Sequence, residues 1–196
     1  MPAPRTGRLR LAAESQRNPL VPSAVMGMLI FVFTELMLFA GLLSAFSIVR
    51  AGAVLWPPPG QPRLPIQATA FNTGVLFASG VALFLAQRGF FRDRASARRP
   101  LLLAMLLGAF FVVFQGFEWV RLVAQGLTLT SSTLGSFFYL IVGLHALHAI
   151  AALAVLVYTW RRLERGWLAQ DQLAAAQVFW YFVVGLWPVL YGVVYL

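Results

Sequence analysis

Five stretches of the chain are nearly uninterrupted runs of apolar residues, from about Ser23 to Val49, Ile66 to Gln87, Pro100 to Val120, Gly135 to Trp160 and Ala174 to Tyr195. Each is near or above the roughly 20 residues with which a helix crosses ~30 Å of hydrocarbon. The segments between them hold the turn chemistry and most of the charge: Trp56 to Gly60, Arg92 to Arg94, Thr128 to Thr133 and Arg161 to Gly166. The pattern predicts an all-α fold, an integral membrane bundle of five transmembrane helices over residues 22–196, preceded by a basic tail over residues 1–21.

Arginine placement orients the bundle, because basic residues in short flanking segments stay on the cytoplasmic side. The tail carries Arg5, Arg8, Arg10 and Arg17, the second loop region Arg88, Arg92, Arg94, Arg98 and Arg99, and the fourth Arg161, Arg162 and Arg165. Loops one and three hold only Arg50, Arg63 and Arg121. Twelve against three puts the N-terminus in the cytoplasm and the C-terminus on the periplasmic side, as an odd number of spans requires. The first run starts too far into the chain and is too long for the apolar core of a signal peptide, and it carries Glu35 at its middle. No period of 20 to 50 residues recurs.

Composition agrees with a lipid solvent: 60% of the 196 residues are apolar, 11% are charged and the mean hydropathy is +0.79. The absence of cysteine excludes disulfides, thiolate metal sites and thiol nucleophiles. A net charge of +9 raises the question of nucleic acid, but all fifteen basic residues are arginines beside apolar runs, which topology explains. No nucleic-acid partner is expected.

The polar groups inside the runs carry the candidate chemistry. Glu35 lies near the bilayer midplane, where a charged side chain costs roughly 2.5–3.5 kcal/mol even on the gentler insertion scales, so it must be protonated or paired. His145 and His148, three apart, share one face of the fourth span. At 1.5 Å per residue, Glu35 and His148 fall at depths of roughly 16 and 18 Å from the inner edge, close enough to meet. Their pairing is either a buried structural hydrogen bond or part of a lipid-linked, proton-linked or subunit-contact site. Two histidines alone are too few for a metal or haem site. Glu118 and Arg121 can pair near the outer end of the third span. Gly41 and Ala45 form a small-xxx-small face suited to close helix approach. The many Phe and Trp residues are expected as lipid-facing or interfacial anchors.

Six strings in order make these features specific: Thr-Glu-Leu-Met-Leu-Phe-Ala-Gly (34–41), Trp-Pro-Pro-Pro-Gly-Gln-Pro-Arg-Leu-Pro (56–65), Asn-Thr (72–73), Gln-Gly-Phe-Glu-Trp (115–119), Leu-Thr-Leu-Thr-Ser-Ser-Thr-Leu-Gly-Ser (127–136) and Gly-Leu-His-Ala-Leu-His (143–148). Together they resemble subunit III of the haem–copper oxidases, in the shorter five-helix form, from about Val21 to the end. The resemblance matches Glu35 to the family's mid-membrane carboxylate, His145 and His148 to its paired histidines, and Glu118 to a glutamate at a helix end. Glu35, His148 and Trp56 are the positions it marks for phospholipid contact.

One string departs. Where the family's last helix usually reads Trp-His-Phe-Val-Asp, this chain has Trp180-Tyr181-Phe182-Val183-Val184, and Leu144 and Ala146 also differ around the histidine pair. Functions that need that histidine and aspartate are therefore in doubt here.

The resemblance implies an accessory subunit of a terminal respiratory oxidase in the bacterial inner membrane. It would hold no cofactor, with haem and copper in partner subunits, and would dock on the catalytic subunit I, with subunit II nearby. Bound phospholipid and support of proton uptake and stability during oxygen reduction follow from the same likeness. An accessory protein of a nitric oxide reductase is a second reading. A small transporter using Glu35 and the histidines as a proton relay is a third, although the inverted repeats or broken helices of that class are not evident.

Overall fold

The computed structural model describes residues 22–56, 58, 60 and 62–196, so the basic tail and part of the first loop lie outside the described residues. Five helices follow one another: α1 Ser23–Gly52, α2 Ile66–Arg92, α3 Arg94–Ala124, α4 Thr133–Glu164 and α5 Gln170–Leu190, the last continued by a π-helical turn, Tyr191–Tyr195. All five are long and apolar enough to cross a membrane.

The apolar runs located the spans but not their ends. α3 starts at Arg94 rather than Pro100, and α4 continues through Arg161 and Arg162 to Glu164, into a segment read from sequence as loop. Beyond the hydrocarbon the helix keeps its own hydrogen bonds, and arginine's long stem lets the charge reach the headgroups while the backbone stays helical. The break between α2 and α3 is a single residue, Asp93. Its carboxylate accepts from the amides of Ala95 at 2.8 Å and Ser96 at 3.1 Å and from the Ser96 hydroxyl at 2.7 Å. This caps the exposed amides at the start of α3. The Ser96 hydroxyl, and after it the Ala95 amide, hold the Asp93 carboxyl below the usual carboxylate range.

Pro100 lies within α3 and has no amide to give to Ser96, whose carbonyl instead abuts Gly89 of α2; a Cβ there would stand 2.7 Å from it. Gly126 and Gly166, at φ +93° and +74°, end α3 and α4 in the left-handed conformation that L side chains resist. The returning amides of Leu127 and Trp167 then satisfy the carbonyls of Leu122 and Arg162 at 3.0 and 2.9 Å.

α5 is the central helix. It packs on α4, α1 and α2, and it carries the fully buried Trp180 and Trp187. α2 and α3 form the most extensive pair, and α4 fits between α3 and α5. α1 lies at the flank, with Phe39 and Phe46 as its buried residues. Phe33, Val113 and Leu147, at 63%, 72% and 61% exposed, point outward, as expected where the solvent is lipid and apolar surface carries no penalty.

Two sequence expectations are corrected. Gly41 and Ala45 face outward and no other helix of this chain approaches Gly41, so close helix approach occurs instead at Gly89 and Gly108, while Gly135 meets the Thr128 carbonyl of the preceding loop. The aromatic residues divide between surface and interior: Phe39, Phe46, Phe111, Phe138, Trp180 and Trp187 are core. Aromatic rings fit a tightly packed interior as well as they fit lipid, so composition could not sort them.

Charge separates by end. Arg98 pairs with Glu164 at 3.2 Å and Arg94 donates to the Gly166 carbonyl at 2.6 Å, tying the α2–α3 turn to the α4–α5 loop. At the opposite end Arg50 donates to the carbonyls of Val193 and Leu196 at 3.0 and 3.1 Å.

Candidate functional site

Glu35, in the middle of α1, meets His148 of α4, with Oε2 at 3.1 Å from Nε2. Both side chains are largely withdrawn, 17% and 10% exposed. His148 Nδ1 lies 2.8 Å from the Leu144 carbonyl one turn earlier. A carbonyl only accepts, so Nδ1 carries a proton, and the state of the pair is then set at Nε2. A carboxyl facing a neutral ring and a carboxylate facing a protonated ring are both neutral overall, and a site within an apolar span favours a pair without net charge. Glu35 Oε2 is buried with no aligned hydrogen bond among the described residues, so the 3.1 Å contact is an ion-pair approach rather than a formed hydrogen bond.

Four phenylalanines enclose the imidazole. Phe31 and Phe39, one turn either side of Glu35 on α1, have ring centroids 6.2 and 5.7 Å from that of His148. Phe179 and Phe182 of α5 stand edge-on to it at 6.4 and 5.9 Å. The i±4 spacing of Phe31 and Phe39 about Glu35 puts all three on one helical face, and that was the available sequence signal.

His145 does not join this pair. It turns inward and stacks on Trp187, with centroids 5.0 Å apart, and Phe39 lies edge-on to it at 6.4 Å. Trp187 in turn donates to the Thr73 hydroxyl at 2.8 Å.

The other candidates lie elsewhere. Glu118 is buried and accepts from Arg121 at 3.2 Å, while Arg121, 60% exposed in its side chain, also covers the Phe117 ring at 4.9 Å. The pair borders an open polar pocket of about 360 Å³ that also touches Arg63 and Gln125. Trp56 packs on Phe46 and borders a second pocket of about 270 Å³ with Arg50 and Arg63. Phe46 is eleven residues beyond Glu35 on α1, roughly 16 Å along the axis. Of the six candidate residues, then, the structure joins Glu35 to His148 and Glu118 to Arg121, leaving His145 and Trp56 in separate surroundings.

A buried polar network went unread. Asn72 donates to the Phe111 carbonyl at 3.1 Å and to Gln115 Oε1 at 3.4 Å, and Gln115 Nε2 donates to the Tyr195 hydroxyl at 3.0 Å. Trp180 donates to Ser79 at 3.0 Å, and Ser79 donates to the Ala104 carbonyl at 2.9 Å. Thr69, Asn72 and Ser79 repeat at three and seven residues on α2, the signal that would have found an inward polar stripe.

The altered positions of the last helix are also placed. Val184 is buried against Gly80, where a Cβ would stand 3.3 Å from one of its methyls, and Tyr181 is 37% exposed on the outer side of α5. Neither touches the Glu35–His148 pair in the ring contacts and ion pairs of the site. Among the described residues no three His, Cys, Asp or Glu side chains cluster in a way that could hold a metal ion.

Comparison with known proteins agrees with this arrangement. The family profile described as Cytochrome c oxidase subunit III matches residues 14–196. A probable cytochrome c oxidase subunit 3 of Nocardia farcinica is 35% identical over 176 residues, covering 86% of this chain and 85% of that protein. The cytochrome c oxidase subunit 3 of Corynebacterium diphtheriae is 34% identical over 196 residues, covering 95% and 92%. That of Synechocystis is 29% identical over 175 residues, covering 87% and 74%. With a match that takes in all five helices, the midplane acid and both histidines, the chain belongs to the cytochrome c oxidase subunit III family.

Proposed function

We propose that this accessory subunit of a haem–copper oxidase uses the Glu35–His148 pair to anchor α1, and the phospholipid around it, to the rest of the bundle. Oxygen chemistry belongs to haem and copper in partner subunits, the catalytic subunit I with subunit II beside it. This chain supplies packing surface, a sheltered proton-bearing pair and stability during turnover. The supporting observation is the 3.1 Å contact between Glu35 and His148, because it is a polar link from the middle of a flank helix that offers mostly apolar surface, besides the Arg50 bonds at that helix's end. Trp56, Glu118 and Arg121 serve as further lipid or subunit contacts in this reading, at the level of the headgroups.

An oxidase assembled with Glu35→Ala should retain less phospholipid per complex and complete fewer turnovers before inactivation than the unaltered enzyme. Equal lipid content and equal lifetime would contradict the role given to the pair.

The same reading places the protein in the bacterial inner membrane, residues 1–21 forming a cytoplasmic basic tail and Leu196 lying on the periplasmic side. The gathering of Arg94, Arg98 and Glu164 at one end and of Arg50 and Val193 at the other supports that orientation. A tag fused after Leu196 should react with a membrane-impermeant reagent in intact cells that have lost only their outer barrier. Protection there would reverse the topology.

A further inference from the structure

The π-helical turn that continues α5, Tyr191–Tyr195, reaches all four other helices, with Leu196 after it. Single π turns are rare and tend to mark functional places in a helix. The Tyr191 hydroxyl donates to the Ile66 carbonyl at the start of α2, 3.1 Å away. Tyr195 is buried: its hydroxyl accepts from Gln115 of α3 at 3.0 Å, and its ring stands edge-on to Phe138 of α4 with centroids 5.7 Å apart. Arg50, at the end of α1, donates to the carbonyls of Val193 and Leu196. The carbonyls of a helix's last turn lack partners within the helix, and a cation beside them also meets the negative end of the helix dipole. Arg50 supplies both the donors and the charge, so α1 caps the end of α5. That gives a structural reason for one of the three arginines at this arginine-poor end, Arg50, Arg63 and Arg121.

We propose that residues 191–196 are a strap which, when closed, locks this end of all five helices together and forms one wall of the pocket bordered by Arg50, Trp56 and Arg63. Val194, Tyr195 and Leu196 are that wall. The Tyr191 bond and the Arg50 bond to Leu196 lie at exposed positions, where water can replace them, so opening starts there and need not unpack the core. An open strap frees the end of α1 and removes the pocket's wall. The opposite end of the bundle is tied separately, by Arg98 to Glu164 and by Arg94 to the Gly166 carbonyl, so the effect is confined to one end. The strap requires neither the lipid-anchoring role proposed for Glu35 nor a particular orientation in the membrane.

Thiol alkylation in the purified, detergent-solubilised complex tests the strap. The chain has no cysteine, so one introduced thiol reports alone on this subunit. Thr69→Cys places it in the first turn of α2 at the strap end, and Thr159→Cys near the opposite end of the bundle. Both threonines are buried and the exchange nearly preserves their volume, so each thiol reacts only when its surroundings open. Adding Arg50→Leu should speed alkylation at position 69 at least ~10-fold and leave position 159 within ~2-fold of its parent rate. Arg50→Lys, which keeps a donor and the charge, should restore most of the protection. Tyr191→Phe, which removes one hydroxyl and leaves the core intact, is the milder variant and should raise the rate at position 69 by ~3-fold, the effect of one hydrogen bond. An unchanged rate at position 69 in both the Arg50→Leu and the Tyr191→Phe protein, or an equal rise at 69 and 159, would overturn the proposal.

Discussion

Replacing Gly108 with alanine is expected to destabilise the bundle by about 1–3 kcal/mol, the cost of forcing extra volume into a well-packed core. A Cβ at this position would overlap the Trp180 ring, standing 2.6 Å from its Cζ2. The ring cannot easily move away, because it is fully buried and its indole nitrogen is bonded to Ser79, which is itself bonded to the Ala104 carbonyl. The clash therefore separates α3 from α5, or breaks a hydrogen bond in a medium with no water to replace it. Gly116→Ala, two turns further along the same helix, is the control: nothing lies within 4 Å of a Cβ there, so no loss is expected. The midpoint of thermal unfolding of the solubilised protein separates the two, and equal midpoints would refute the packing account of Gly108.

The second large effect is at the acid. Glu35→Ala or His148→Ala leaves one half of a pair inside a cage of phenylalanines. If the pair is ionic the loss is about 3–5 kcal/mol, the usual result of stranding a buried charge. If it is a neutral hydrogen bond the loss is about 1–3 kcal/mol. The double variant should lose less than the sum, with a coupling of at least ~1 kcal/mol, as residues in direct contact show. Glu35→Gln should be tolerated far better than alanine, because its amide can donate to Nε2 while Nδ1 continues to serve Leu144. Strict additivity of the two alanine substitutions would show that the 3.1 Å contact contributes no interaction.

What the sequence revealed, and what it did not, follows from the solvent. Lipid demands long unbroken apolar helices, so the five spans could be read directly, and it penalises charge, so Glu35 identified itself. The partner was reachable by depth alone, since the chain has only two histidines and His148 falls at the right level. The same solvent erases the usual signal for which face points inward: Phe33 and Phe39 are equally at ease in lipid and in a core, yet one is 63% exposed and the other 1%. That is why the phenylalanine cage was missed and why Gly41 and Ala45 suggested a packing face that the bundle does not use. Nor could spacing on one helix separate His145 from His148. The difference between them comes from α5, which offers Trp187 to one and Phe179 and Phe182 to the other. The helix ends escaped notice because the apolar run stops at the edge of the hydrocarbon, whereas the hydrogen-bonded helix stops where Asp93, Gly126 or Gly166 stops it.

An accessory subunit of a haem–copper oxidase is one part of a haem-bearing assembly while holding none of the redox centres itself. The direct test is to extract the tagged protein from native membranes in a mild detergent and record a reduced-minus-oxidised optical spectrum of what is captured. Haem bands, together with larger oxidase polypeptides in stoichiometric amount, are the predicted outcome. A single colourless polypeptide, recovered intact from membranes that retain an active oxidase, would contradict it.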